Sequence, residues 1–499
     1  MSAPNGPAGA YTAIVRFLER GRAPALLEPG EAEYRLLPGS YTLEWRNGRL
    51  TIQVWDERRN LARRIVGLGE ESHGKLELTI ERFGKRQGCI YLLDGTRGGA
   101  EGQRRGARLV FREQFRRSLS RQFPEWQIAE LSSEANLEES LSPAYPRALL
   151  TRGAAGIAAL AAPPEPGAAA ASLTFALIWL DYLRRRERRL GVESLAVFYP
   201  EREARSACQR LRFLNHRAVR VQAFLYTEEG YEERLDAGDY GNLETRLETR
   251  ASLGGAVAPQ VAAWVERLGR LPHVETVERA DATASLRVRG MEFARATRSE
   301  LLFGLETKAA AREGNLEEIE QLAREIARLR APSAADRENP IYRSHPEAWL
   351  ESEVRAHLEQ IDARLVSEPV YGQVPAVAGG ERGILDLLAV DRAGRLAVLE
   401  LKASEDIHLP LQALEYWMRV AWHLERGEFG ERGYFPGIAL RHDWPRLLLI
   451  APALGFHPKT ETILRYFAPA IDVERIGLGV EWRQGPRVMF RIPGAQRPL

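Results

Sequence analysis

Cysteine is nearly absent: Cys89 and Cys208 are the only two in 499 residues, far apart and outside any Cys-x-x-Cys pattern. That excludes a disulfide-stapled fold and a cysteine-based zinc site, and it suits a reducing cytoplasm. Lysine is scarce as well. Of 70 basic residues only Lys75, Lys85, Lys308, Lys402 and Lys459 are lysine, so each raises the question of why arginine did not serve. Long apolar runs are missing: the longest, Gly167 to Leu180, is too short to cross a bilayer. The start, Met1 to Ala13, lacks the basic and apolar stretches of a signal peptide. The nine histidines show no HExxH or paired-ligand spacing. A net charge of +2 neither demands nor forbids a polyanionic partner, so local charge must decide. These absences predict a soluble, cytoplasmic protein with no membrane partner.

What is present is enough apolar sequence for several cores, 44% of the chain, and length for roughly three domains. The expected class is multidomain α/β. Residues 1–125 read as a β-rich domain, with a hairpin signal at Asn47-Gly48 within Tyr41–Trp55 and a second strand pair at Lys75–Phe83 and Gly88–Leu93. This part ends in Arg97–Arg121, where eight arginines surround Phe111, Phe115 and Leu119 at helical spacing. Residues 126–250 read as α/β: strand Gly156–Ala162, helix Leu173–Arg189, strand Leu195–Tyr199, helix Ala204–Leu214, strand Val219–Tyr226, then a polar acidic stretch. Residues 251–330 form an α+β connector, and 331–345, with two prolines at Ala331–Pro340, is the clearest linker. In 346–499 the order is helix Glu347–Gln360, strands Val370–Gln373, Gly383–Val390 and Arg395–Lys402, helix Leu409–Glu425, strand Arg446–Ala451, helix Thr460–Phe467 and strand Ile471–Gly477. Val480–Arg491 closes it as another strand pair or an edge. A mixed sheet flanked by helices is the natural packing.

Chemistry concentrates in that last region. Asp386 in Gly-Ile-Leu-Asp-Leu-Leu and Glu400 with Lys402 in Leu-Glu-Leu-Lys-Ala put charge inside apolar strands. Glu400 and Lys402 are two apart and share a face; Asp386 sits across the hairpin. Buried charges are normally paired or bind a metal, and two carboxylates beside an ammonium suit a hard cation such as Mg²⁺. Alone, Glu-x-Lys reads far more often as a salt bridge on a solvated sheet face. Three further features favour a site: the Asp on the adjacent strand, Gln412 and Tyr416 one turn apart on the next helix, and Glu347 and Glu351 one turn apart on the preceding helix. Lysine, unlike arginine, can give up a proton.

The order Glu351, Asp386, Glu400-Leu-Lys402, Gln412-x-x-x-Tyr416 resembles the PD-(D/E)XK phosphodiesterases, and the Gln-x-x-x-Tyr element is similar to that of their RecB-like branch. The strings around Asp386 and Glu400 look most like the nuclease domain of the NucS/EndoMS endonucleases. The resemblance covers roughly Pro346 to Ile476; Asp386 departs from the pattern by following Leu385 and not a proline. It implies a restriction-endonuclease-like fold and a metal-dependent DNA nuclease of repair, restriction or genome maintenance. Asp386, Glu400, the Leu401 carbonyl and Glu351 or Glu347 would hold Mg²⁺ or Mn²⁺. Lys402 would orient or deprotonate the attacking water. Gln412 and Tyr416 would orient the site or touch the DNA backbone, or are ordinary helix surface. DNA is the implied partner, RNA fits the same chemistry, and a homo-oligomer is compatible. The alternative is a nuclease-fold protein that binds nucleic acid or a partner and cleaves little.

Other signals are weaker. Gly69-Glu-Glu-Ser-His-Gly74-Lys75-Leu76 nearly spells a phosphate-binding loop, but it lacks the Ser/Thr and leads into a strand pattern, so a β-turn is expected. His408 reads as a surface residue at a helix start, and Trp417 and Trp422 as core or helix-face aromatics. Arg112, Arg116, Arg117 and Arg121 form either a phosphate-binding face or a solvated one. Finally, 126–250 and 346–499 share a strand–helix order. Where one has Leu-Glu-Leu-Lys, the other has Gly-Ile-Ala-Ala-Leu-Ala-Ala, which predicts either a degenerate copy or a coincidence of a common order.

Overall fold

The computed structural model describes residues 6–20, 24–28, 34–36, 40–46, 48–55, 60–72, 74–82, 86–94, 99–227, 230–239, 245–250, 257–279, 283–378 and 381–494. Asn47, Lys85 and Arg97 of the sequence expectations lie outside them. The chain is a multidomain α/β protein with four sheets among these residues.

The first sheet has seven antiparallel strands. Period-two alternation builds it: Leu76, Leu78 and Ile80 are fully buried, while the residues between them face outward. Helix Pro7–Arg20 lays Ala10, Ala13 and Ile14 on this core. Arg46 pairs with Arg49, the residues that flank the expected hairpin turn. The near phosphate-binding loop is a hairpin between strands Asn60–Ser72 and Lys75–Arg82, as expected for a turn, with Gly74 at φ +78°. Both cysteines are free thiols.

Next come helix α1 (Gly99–Gln122) and a six-stranded sheet: β1 (Gln127–Ser132), β2 (Arg147–Arg152), β3 (Ala155–Ala161), β4 (Gly191–Pro200), β5 (Arg220–Tyr226) and β6 (Glu232–Leu235). Helix α2 (Ala168–Arg186) joins β3 to β4, and α3 (Glu201–Cys208) joins β4 to β5, continuing as a 3₁₀ turn over Gln209–Phe213 where one longer helix was expected. The edge strands β1 and β6 and the interior strand β2 were not anticipated.

The connector is a five-stranded antiparallel sheet under helices Pro259–Gly269 and Leu316–Leu329. Leu316, Ile319, Ala323 and Ile326 of the second helix are buried at helical spacing. The proline-bearing stretch after it does not hang free. Buried Arg330 donates from Nη1 to the carbonyls of Ile341 (2.7 Å) and Ser344 (2.8 Å), and from Nη2 to that of Arg289 (3.1 Å). Gly290, at φ +78°, lets the connector hairpin touch the next helix: a Cβ there would lie 2.1 Å from the Ala348 carbonyl oxygen. The expected linker is therefore pinned at both ends.

The last region contains α4 (Pro346–Ala356), β7 (Tyr371–Ala378), β8 (Glu381–Val390), β9 (Leu396–Leu401), α5 (Leu409–Glu425), β10 (Arg446–Pro452), α6 (Thr460–Leu464), β11 (Val473–Leu478) and β12 (Val488–Pro493). Its sheet runs in chain order, with neighbours antiparallel, antiparallel, parallel, parallel and antiparallel. The sheet β1–β6 has the same order and the same senses. Their joining helices also correspond: α2 to α5, and α3 to α6. The expected repeat of strand–helix order is thus a repeat of topology.

In each sheet one face meets an outer helix and the other an inner one. Leu399 and Leu401 pack with residues of α4, whereas Leu396 and Val398 join α5. Ile157, Ala159 and Ala161 pack with α1, whereas Ala158 and Leu160 join α2. The two inner faces share a single core containing residues of α2, α5 and both sheets. Hydrophobic burial, the dominant favourable contribution to folding, thereby welds 126–250 to 346–499.

Candidate active site

The site lies where two strands part. Pairing of β8 with β9 runs from Val390 opposite Leu396 to Leu387 opposite Leu399. The next residues, Asp386 and Glu400, share the inner face by strand alternation. There the backbone ladder gives way to a side chain: the Leu401 N–H donates to Asp386 Oδ2 at 2.8 Å. On its other side β9 remains paired to β10, and the Lys402 N–H donates to the Ile450 carbonyl at 3.0 Å.

Glu400 is 3% exposed, and its Oε2 has no hydrogen-bond partner. Burial, and then the neighbouring Asp386 charge, push its carboxyl well above the usual range, while Lys402 opposes this. Asp386 is half-buried and is pushed up to about 6 by burial; the Leu401 N–H and Lys402 oppose the shift, and Glu351 and Glu347 add to it. Lys402 Nζ lies 4.0 Å from Glu400 Oε1 and 3.8 Å from Asp406 Oδ2. From α5, Tyr416 has its hydroxyl raised by burial first and then by Glu400 and Asp386, which places it in the field of both. Gln412 Oε1 is buried without a partner. Asp386, Glu400, Lys402 and Tyr416 are thus brought together, with Gln412 one turn before Tyr416.

The helix carboxylates behave differently from expectation. Three carboxylates were expected to converge, but among the described residues no group of three or more His, Cys, Asp or Glu is arranged to hold a metal. Glu351 is taken by cations: its Oε1 accepts from Arg355 Nη2 at 2.5 Å and lies 3.7 Å from Arg287 Nη1. Gly372 makes room for this pair, because a Cβ there would lie 1.9 Å from Arg355 Nη2. Arg355 was legible at four residues from Glu351, but Arg287 comes from the connector with no local signal. Glu347 reaches Asp386 only through its charge.

His408 is corrected too. It is not a surface residue: Nδ1 is 2.9 Å from Thr174 Oγ1 on α2, and its ring lies 5.4 Å from that of Phe175. Burial lowers its pKa, with Asp406 opposing. Trp417 is core, donating from Nε1 to the Pro445 carbonyl at 2.7 Å. Trp422 lies on the helix face against Arg426.

The basic face of α1 is largely neutralised. Arg116 bonds Glu113 at 2.8 and 2.6 Å, Arg117 lies 3.7 Å from the same carboxylate, and Arg121 pairs with Glu232. Arg112 borders a polar cavity of about 370 Å³ shared with Lys75, Glu70, Glu77 and Glu134. Phe115 and Leu119 of this helix are buried against the β1–β6 sheet.

A divalent cation fits the donors at Asp386 and Glu400. Two adjacent carboxylates, one with an unpartnered buried oxygen, face a single ammonium; such a group is stabilised by added positive charge. Among the described residues no helix is long and apolar enough to cross a membrane. No protein-family model and no curated protein matches this chain.

Proposed function

We propose that the chain is a metal-dependent phosphodiesterase acting on DNA, an endonuclease of repair, restriction or genome maintenance. The observation that carries this reading is the buried Asp386–Glu400 pair beside Lys402, at the point where β8 leaves β9. A fold-stabilising role accounts poorly for it, since an unpartnered buried carboxylate oxygen costs stability.

Asp386 and Glu400, with the Leu401 carbonyl, would hold Mg²⁺ or Mn²⁺. Such an ion supplies Lewis-acid polarisation of the phosphate and a more acidic bound water. The chain's own groups do the rest. The Leu401 N–H fixes the Asp386 carboxylate. Lys402, steered by Glu400 and Asp406, offers an ammonium that orients water or meets charge developing on a phosphate oxygen. Tyr416 and Gln412 supply hydrogen-bonding groups on the same side.

A second reading, binding with little cleavage, is favoured by one observation: Glu351 is already engaged by Arg355 and Arg287. Both readings are separated by one assay. Single-stranded, duplex, branched and mismatched DNA, and RNA, are incubated with the full chain in Mg²⁺, Mn²⁺ or EDTA. Metal-dependent products that disappear in Lys402→Ala support the enzyme. Binding without products, by a folded protein in either metal, establishes the second reading.

A further inference from the structure

The two like sheets can be aligned by their hydrogen bonds. Just past β9 the Lys402 N–H donates to Ile450 O at 3.0 Å; just past β3 the Ala162 N–H donates to Phe198 O at 2.8 Å. Lys402 thus corresponds to Ala162, and Glu400 to Leu160. Arg147 is paired opposite Leu160, in the place of Asp386. On α2, Ala171 and Phe175 hold the fourth and eighth positions, where α5 has Gln412 and Tyr416. The counterpart of the carboxylate pair and lysine is therefore a guanidinium and two apolar side chains. Arg147 is 4% exposed, and Leu160 and Ala162 are fully buried. Neither a cation nor a phosphate has access there.

The contacts between the copies are reciprocal. Helix α2 packs on α6, while α5 packs on the 3₁₀ turn after α3. Between them Leu214 and Phe467 form an antiparallel bridge. The Asn215 N–H donates to Tyr466 O at 2.7 Å, and the Ala468 N–H donates to Phe213 O at 2.8 Å. These residues occupy matching places, each directly after the α3 or α6 segment. Elements meeting their own counterparts in this way is the signature of a twofold, self-complementary interface.

We infer that the chain is a fused pseudo-dimer with one live centre, and that it severs one strand of a duplex per encounter, leaving a nick. The inference rests on the phosphodiesterase reading. A duplex has antiparallel strands related by local twofold axes, so a twofold protein can present equivalent centres to both strands. Here the twofold arrangement persists but only the Asp386 side carries acid and base groups. In each event one water adds to phosphorus and one P–O bond to a sugar breaks. The proton lost by the water ends on the leaving alkoxide. Severing the opposite strand takes a separate encounter.

The test is a time course on supercoiled circular DNA with the full chain and Mg²⁺ or Mn²⁺, with chain stoichiometry on a short duplex measured by sedimentation in EDTA. The expected result is nearly complete conversion to open circles before linear DNA accumulates, with one chain per duplex. Linear DNA appearing from the start at the rate of open circles overturns the inference and leaves the enzyme reading intact. Two chains on one short duplex also overturn it, since the second would supply the missing centre. Cleavage of single strands but of no duplex overturns it as well. Absence of cleavage on every nucleic acid, with the protein folded, removes the phosphodiesterase reading and the inference together.

Discussion

The sheets β1–β6 and β7–β12 have the same strand order and senses, yet one has Asp386, Glu400 and Lys402 where the other has Arg147, Leu160 and Ala162. The inner face of the first sheet is closed by Leu160 and Ala162 against α2, both fully buried. The second sheet interrupts the same face with two carboxylates whose protonation burial favours. The first sheet shows that the topology does not need the carboxylates or the lysine, since it buries Arg147, Leu160 and Ala162 at the same places. Both copies bury charge at this place, but only the second sheet sets two carboxylates and a lysine together there.

The sharpest way to break this comparison is at the charged copy. Asp386→Ala and Lys402→Ala should each lower cleavage by roughly 10³-fold or more with an unchanged circular dichroism spectrum, as for removal of an essential acid, base or charge stabiliser. Lys402→Arg should also lose most activity, because the planar fork and fixed proton differ. Full activity in Lys402→Arg would show that the residue supplies charge alone.

At the apolar copy the expected effect is on stability. Leu160→Ala should cost about 2–5 kcal/mol in denaturant unfolding, as for other fully buried leucines. If Leu160→Ala unfolds like the native chain, the inner face of that sheet is less tightly packed than its burial implies.

The same comparison predicts a smaller gain. The Asp386 carboxyl is raised from 3.8 to about 6, so between those values the folded chain binds more protons than the unfolded one. Stability of the metal-free protein therefore falls as pH rises through that window, and the deficit is complete above it. Asp386→Asn in EDTA should raise stability by roughly 2–3 kcal/mol near pH 8, with the gain fading as pH drops toward 4. A gain that is independent of pH would assign the effect to packing.

The smallest effect is expected on α1. Changing Arg112, Arg116, Arg117 and Arg121 to Gln should flatten the slope of log K against log salt by about 0.7–0.9 for each DNA phosphate that these arginines neutralise. Since Glu113 and Glu232 already engage three of the four, the total change should stay near the value for a single phosphate. A change three or four times as large would mean that DNA displaces these carboxylates.

Much of the region around the site is legible locally. The α5 span Leu409–Glu425 follows from the sequence residue for residue, because its apolar spacing is helical and Pro410 stands in its first turn. Strands β8 and β9 stand out because apolar runs flank a turn at Asp391–Gly394. The expected helix Thr460–Phe467 is shorter, Thr460–Leu464, since Phe467 leaves it to bridge Leu214. The strand β2 escapes notice, because a buried arginine at its head, Arg147, gives no strand signal.

The sequence by itself determined which charges sit inside apolar strands, and so the pairing of Asp386 with Glu400 and Lys402. Alternation and helical spacing are local, and they survive without knowledge of partners. Tertiary structure alone decided that Arg287 reaches Glu351, that Thr174 and Phe175 pack on His408, and that Arg330 pins the stretch before α4. It also decided that the two copies face each other about Leu214 and Phe467. Those choices join residues tens to hundreds of positions apart, where packing and desolvation, and no local pattern, select the partner.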